Sequence, residues 1–176
     1  MTQPLKLFAF VIGGATENSL IELHDVRICA GATMQDTYAE IRASWWGTPQ
    51  SLHLDCWGEL TSADGHDIAL SDTPSGAAEK LWFVNLGGYV PDDFAEQHKN
   101  VFVVAASETK AKVRALKQVQ NWKSAHEDYS YDVEKMTNVS DMLARRGLYI
   151  HLQKTDNPRS FVFEYGYNRE IENTLS

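Results

Sequence analysis

Four of the six histidines in this 176-residue chain make two similar pairs, His24 with His98 and His53 with His126, each with a carboxylate two positions away. They form Glu22-x-His24, Glu96-x-His98, His53-x-Asp55 and His126-x-Asp128. On an extended strand residues i and i+2 share a face, so each imidazole would stand beside its carboxylate. Such a neighbour orients an imidazole for proton transfer, and the pair also suits a divalent metal. If the Glu-x-His and His-x-Asp elements converge, each set holds two imidazoles and two carboxylates. Two-residue spacings of common polar types are far less specific than H-E-x-x-H or paired C-x-x-C. Histidine and aspartate also cap loops and satisfy buried backbone groups. Spacing alone therefore assigns no metal ligands and implies no cofactor. The eight residues stand as candidate ligand-binding positions.

Other chemistry is less developed. Ser51 and Ser124 lie two residues before their histidines, without a Gly-x-Ser-x-Gly elbow around either. Gly13-Gly14 and Gly87-Gly88 close apolar runs, but neither continues as a dinucleotide or P-loop glycine motif. Pro91-Asp92-Asp93 after the second pair would repel phosphate, so turns with positive φ are the expectation for these glycines. Lys110, Arg114 and Lys117 fall at helical spacing with Lys112 and Lys123 nearby, which reads as a solvated helix face.

The histidine pairs belong to a longer repetition. Lys6-Leu7-Phe8-Ala9-Phe10-Val11-Ile12-Gly13-Gly14 lies over Lys80-Leu81-Trp82-Phe83-Val84-Asn85-Leu86-Gly87-Gly88. The same offset places Glu22-Leu23-His24 over Glu96-Gln97-His98, and Ala32-Thr33 over Ala106-Ser107. After a slip of one residue, Ser51 to Asp55 matches Ser124 to Asp128, and Gly65 to Leu70 then matches Gly147 to Leu152 across an insertion. Repeated blocks in one order predict a tandem duplication.

Each copy predicts β-β-α-β-β. Its strands are Leu7 to Ile12 and Val26 to Ala30 in the first copy, and Leu81 to Leu86 and Val101 to Ala105 in the second. Thr33-x-x-Asp36 has capping-box form, and Met34, Tyr38, Ile41 and Trp45 supply an apolar stripe. The second helix, over Ser107 to Lys123, takes its stripe from Val113, Leu116, Val119 and Trp122. Without strict alternation of strand and helix, an α+β fold with mixed or antiparallel sheets is expected, its two copies packed as a pseudo-symmetric pair. The copies span 5–70 and 79–152, and 153–176 forms a strand extension. In that extension Phe161, Phe163, Tyr165 and Tyr167 alternate, and their expected place is a sheet core.

Composition narrows the function classes. Hydrophobic residues at 43% support a packed core and exclude a disordered chain. The net charge of −8 argues against a duplex nucleic-acid binder, and no apolar stretch approaches the 18 residues of a spanning helix. Cys29 and Cys56 are expected as buried free thiols, and a soluble cytoplasmic protein follows. Single-stranded nucleic-acid binding through the basic face and exposed aromatics is a lesser alternative.

Phe10-Val11-Ile12-Gly13-Gly14, Glu22-Leu23-His24-Asp25-Val26 and Leu86-Gly87-Gly88-Tyr89 resemble the bacterial proteins grouped as domain of unknown function 1543. The resemblance implies one or two copies of that domain, and it transfers no catalytic residues. Without a strong catalytic signature, the expected function is a non-enzymatic binding or interaction module, with a protein partner or small ligand and a homodimer as an option. The rival is a small metal-dependent or acid/base enzyme using the histidine and carboxylate pairs.

Overall fold

The computed structural model describes residues 3–89, 92–119 and 132–172. The chain divides into two compact units, Met1–Thr61 with Ser160–Ser176, and Ser62–Arg159. Strand pairings in both are antiparallel, and helices are few, so the class is α+β.

The first unit is built on Lys6–Gly14 (β1), Leu23–Gly31 (β2) and His53–Glu59 (β3), with β1 between the other two. β1 alternates Phe8, Phe10 and Ile12 onto one face, where they bury against Cys29, Tyr38, Ile41, Leu52, Leu54 and Ile171. The helix of this unit, Tyr38–Ser44 (α1), follows a 3-10 turn over Gln35–Thr37. Thr33 and Asp36 open that turn as expected of a capping box: the Thr33 amide donates to Asp36 Oδ2 at 2.7 Å, and the Asp36 amide to Thr33 Oγ1 at 3.4 Å. Tyr38 and Ile41 are buried, with Met34 and Trp45 packed beside them, so the expected stripe faces the core.

The second unit opens with the hairpin Ser62–Ala63 (β4) and His66–Ser71 (β5), followed by Lys80–Tyr89 (β6) and Glu96–Ala105 (β7). Glu108–Val119 (α2), Asp132–Asn138 (β8), Val139–Ala144 (α3) and Tyr149–Lys154 (β9) complete it. β6 lies between β7 and β8, while β5 pairs with both β4 and β9. The β4–β5 turn holds Asp64 at φ 49° and Gly65 at φ 75°, the left-handed pair of a tight hairpin. Asp64 then accepts the Val104 amide at 2.9 Å and the Arg114 guanidinium at 2.7 Å. By this pairing β5 lies in the second unit, whereas the sequence reading places its residues at the end of the first copy.

Four expectations give way. α2 buries Ala111, Ala115 and Val119, with Leu116 half-buried, while Val113 is half-exposed. Small side chains let a helix lie close to its sheet, so its buried stripe is carried by alanines rather than by the largest residues. Trp122 and Lys123 lie outside the described residues. On the basic face, Arg114 is paired with Asp64 and Lys112 with Asp132. Next, Gly13, Gly14, Gly87 and Gly88 do not turn the chain: all four sit inside β1 or β6, and none has positive φ. Finally, Phe163, Tyr165 and Tyr167 are exposed, not core. They lie on or beside Glu164–Asn168 (β10), an edge strand on β3 whose register slips between Tyr165 and Asn168. Both cysteines are free, but only Cys29 is fully buried. Among the described residues, no helix is long and apolar enough to cross a membrane.

The C-terminal segment anchors the first unit through Ile171, which is fully buried. Ile171→Ala is expected to cost about 2–4 kcal/mol in urea unfolding. A cost below about 0.5 kcal/mol would show that this segment does not complete the core. Tyr38 gives a second handle. Burial, and then the charge of Glu170, pushes its phenol up to about 12. Its neutral form thus stabilises the fold fully below the unfolded value near 10, and that contribution drains away as pH climbs from about 10 toward 12. The Tyr38 hydroxyl is buried without a hydrogen-bond partner. Tyr38→Phe should therefore keep neutral-pH stability within about 1 kcal/mol and lose less stability than the parent between pH 10 and 12.

Candidate functional site

In an antiparallel sheet, directly paired residues point to the same face. Gly13 pairs with His24 on β2 and with His53 on β3, so the three form a row across the sheet. Alternation puts that row on the face opposite Ile12 and Leu54. Between Val11 and Ile12 the β1–β3 register shifts, from Val11 opposite Cys56 to Ile12 opposite Leu54. Asp55 is the extra residue of the resulting bulge. Bulges re-aim a side chain, and here the carboxylate turns toward the histidine row.

The four candidate residues of the first unit therefore meet. His24 Nε2 lies 3.3 Å from Asp55 Oδ2, and His53 Nε2 lies 3.4 Å from Asp55 Oδ1 and 3.6 Å from Glu22 Oε2. His53 is completely buried, whereas Glu22 and His24 are half-exposed, so the cluster opens to solvent on one side. The Tyr167 ring packs on the His53 imidazole, with centroids 4.3 Å apart.

A hydrogen bond fixes the place of one His53 proton. Its Nδ1 lies 2.8 Å from the Ser51 carbonyl oxygen, which only accepts, so Nδ1 carries the proton. In a neutral ring, Nε2 is then a lone pair aimed at two carboxylates. His53 Nε2 and Asp55 Oδ2 are buried without a hydrogen-bond partner. Contacts of 3.3–3.6 Å are too long for good hydrogen bonds. They link the four side chains in series, Glu22 to His53 to Asp55 to His24, with Asp55 turning a different oxygen toward each histidine.

The surroundings define the site further. Asp25, after His24, has its carboxyl held below the usual range; burial pushes it up, but hydrogen bonds from Arg27, the Val26 amide and Trp46, with the Arg27 charge, more than offset that. Arg27 is in turn held by the Ser44 hydroxyl and carbonyl at the end of α1. Burial, and then the charge of Asp55, pushes the Cys56 thiol up, which keeps the free thiol protonated at neutral pH. Ser51 accepts the Ala15 amide at 2.9 Å and lies within hydrogen-bond reach of the Ala15 and Thr48 carbonyls, which fits a loop clamp.

Gly13 makes room for all of this. A Cβ there would stand 2.5 Å from Asp55 Oδ2 and 2.8 Å from His53 Nε2. Its role is close approach, in place of the turn expected from sequence.

In the second unit, His98, Gly87 and Asp132 form a row across β7, β6 and β8. The β6–β8 register shifts from Asn85 opposite Lys135 to Leu86 opposite Val133, leaving Glu134 as the bulge residue. Glu96, His98 and Glu134 each offer a ligand atom, all within 4.8 Å of one another. His126 and Asp128 lie outside the described residues. Glu134 escaped the sequence reading, which aligned His126-x-Asp128 with His53-x-Asp55. The signal that marks it is Asp132-x-Glu134, another polar pair two residues apart, at the start of the strand paired to Gly87.

Residues 19–70 match the family model described as Domain of Unknown Function (DUF1543). That span supports the family resemblance, and it includes Glu22, His24, His53 and Asp55. The chain is also similar to the crystal structure of a protein Il1583 from Idiomarina loihiensis, at 29% identity and a TM-score of 0.69. The similarity covers 93% of this chain and 96% of that one, so the α+β architecture extends over nearly all of both. No curated protein is significantly similar in sequence.

Gly13→Ala is expected to lower stability by about 1–3 kcal/mol, the usual cost of overpacking, in thermal or urea unfolding. In an Asp55→Ala background, where the nearest atom is gone, the same substitution should cost less. Strict additivity in that double-mutant cycle would disprove the steric account.

Proposed function

We propose that the protein is a divalent-metal-binding protein, and that Glu22, His24, His53 and Asp55 hold a transition-metal ion of the zinc class. The observation that carries this reading is the buried His53 Nε2. Its partner nitrogen holds the only proton of a neutral ring, and its lone pair faces two carboxylates. Two carboxylates gathered around one acceptor repel by an order of 2–4 kcal/mol at an effective dielectric near 20. A central cation converts that repulsion into coordination. Imidazole and carboxylate donors suit zinc, around which these side chains would close in from their present pairwise contacts.

The donor count bears on activity. Four protein ligands complete a tetrahedral ion, as in sites that bind without catalysing, whereas catalytic sites keep a position open. The reading is therefore a binding protein whose small ligand is the ion. A catalytic second reading has one support: Glu22, half-exposed and the most distant donor at 3.6 Å, is placed to yield its position to water.

The same reading includes the tandem duplication. Its support is the repeated plan of row and bulge: Gly13 between His24 and His53 with Asp55 bulged, Gly87 between His98 and Asp132 with Glu134 bulged. The caps agree as well, since the Asp36 amide donates to Thr33 Oγ1 and the Lys110 amide to Ser107 Oγ, each at 3.4 Å.

Calorimetric titration of the chelator-treated full chain with zinc tests the proposal. The parent should bind tightly, and Asp55→Asn or His53→Ala should weaken that binding by roughly 100-fold or more, beyond the loss typical of a merely supporting group. Zinc affinity unchanged in both variants would overturn it.

A further inference from the structure

We propose that Glu96, His98 and Glu134 form a second divalent-cation site, open and richer in oxygen, which takes a harder ion of the manganese class. Its donors all belong to the second unit, so the site stands or falls on its own. Only the comparison of positions borrows from the zinc reading above.

The donor set is a mixed one. His98 Nδ1 lies 3.1 Å from Glu134 Oε2, and His98 Nε2 lies 3.9 Å from Glu96 Oε2, so the imidazole stands between two carboxylates. Those carboxylates also crowd one point from opposite strands, the place where a Cβ on Gly87 would be. Such a Cβ would sit 2.8 Å from Glu96 Oε1 and closer still to Glu134 Oε1. Gly87 lies inside β6 without positive φ, so turn geometry does not explain the missing side chain. The bulge at Glu134 supplies the third observation, since it aims this carboxylate at His98.

The difference between the sites follows from one position. Asp132 stands where the first unit has His53, each paired with the glycine of its row. Its carboxylate is already engaged, accepting from Lys112 Nζ at 2.8 Å and the Val133 amide at 2.7 Å. Lys112, and then that amide, holds the Asp132 carboxyl below its usual range. Three donors remain, one nitrogen and two oxygens, all partly exposed. A three-ligand set leaves coordination positions for water, and a carboxylate majority favours manganese over zinc relative to the four-donor site. The first unit would thus retain its ion, while the second presents one to solvent and to an oxygen-bearing ligand.

Manganese binding to the full chain, followed by the loss of the free-ion electron paramagnetic resonance signal, is the test. In an Asp55→Asn background, which disables the first site, one manganese should still bind. Adding either Glu134→Gln or His98→Ala should weaken it at least tenfold, with circular dichroism confirming that each variant folds. Unchanged manganese binding in both would overturn the second site, and would mean that His98 bridges the glutamates as an imidazolium. That result leaves the zinc site untouched. Conversely, tight zinc binding that survives Asp55→Asn and His53→Ala but disappears with Glu134→Gln would refute the first site and uphold the second.

Discussion

The hydrogen bond from His53 Nδ1 to the Ser51 carbonyl decides what the first unit can do. It orients a fully buried imidazole and places its proton on the far side of the ring from Asp55 and Glu22. Everything else in the site accommodates the resulting lone pair. Tyr167 covers the ring, Gly13 withholds a side chain, and the bulge swings Asp55 into reach. Ser51 itself is clamped to Ala15 and Thr48, so the carbonyl that receives this proton is held by the loops that leave β1 and enter β3. A buried acceptor facing carboxylates is costly unless something cationic joins it. That cost is what a bound cation would remove.

The arrangement also shows how a flat sheet makes a concave donor set. Paired residues across three strands project in parallel, so three large side chains in one row would only stack. Placing glycine in the middle opens a hollow between two histidines. The bulge then leaves Asp55 without a partner on β1, free of the ladder and within reach of both histidines. The first unit needs both devices, glycine for space and bulge for direction.

Much of this was legible in the sequence. The strands, the capping box at Thr33 and the stripe through Tyr38 and Ile41 follow from periodicity and local hydrogen-bond chemistry, which act over a few residues. The pairs Glu22-x-His24 and His53-x-Asp55 are marked by their spacing, but their meeting across β1 is a condition that the sequence leaves open. What stayed hidden depends on contacts between distant segments. The glycines look like turn residues until the atoms crowding their α-carbons are known. The alanines of α2 carry no hydrophobic signal strong enough to outweigh Val113, yet the close helix–sheet approach selects them. The aromatic strand β10 alternates as a core strand does, and only its place at a sheet edge explains its exposure.

Glu134 was missed for a different physical reason. Similarity of residue type singles out His126-x-Asp128, which lies outside the described residues, whereas the pairing register brings Asp132-x-Glu134 beside Gly87. Reading the second unit by register changes its chemistry. An aspartate tied to Lys112 replaces the buried histidine, and a glutamate replaces the bulged aspartate. The longer side chain reaches across the glycine from a more exposed backbone position, and the lost imidazole leaves the set harder and less complete. Two units with the same geometric devices therefore offer different electrostatic surroundings. On the zinc reading, a cation matches the buried lone pair of the first unit. In the second, solvent can screen the same crowding, so an ion held there would exchange more readily.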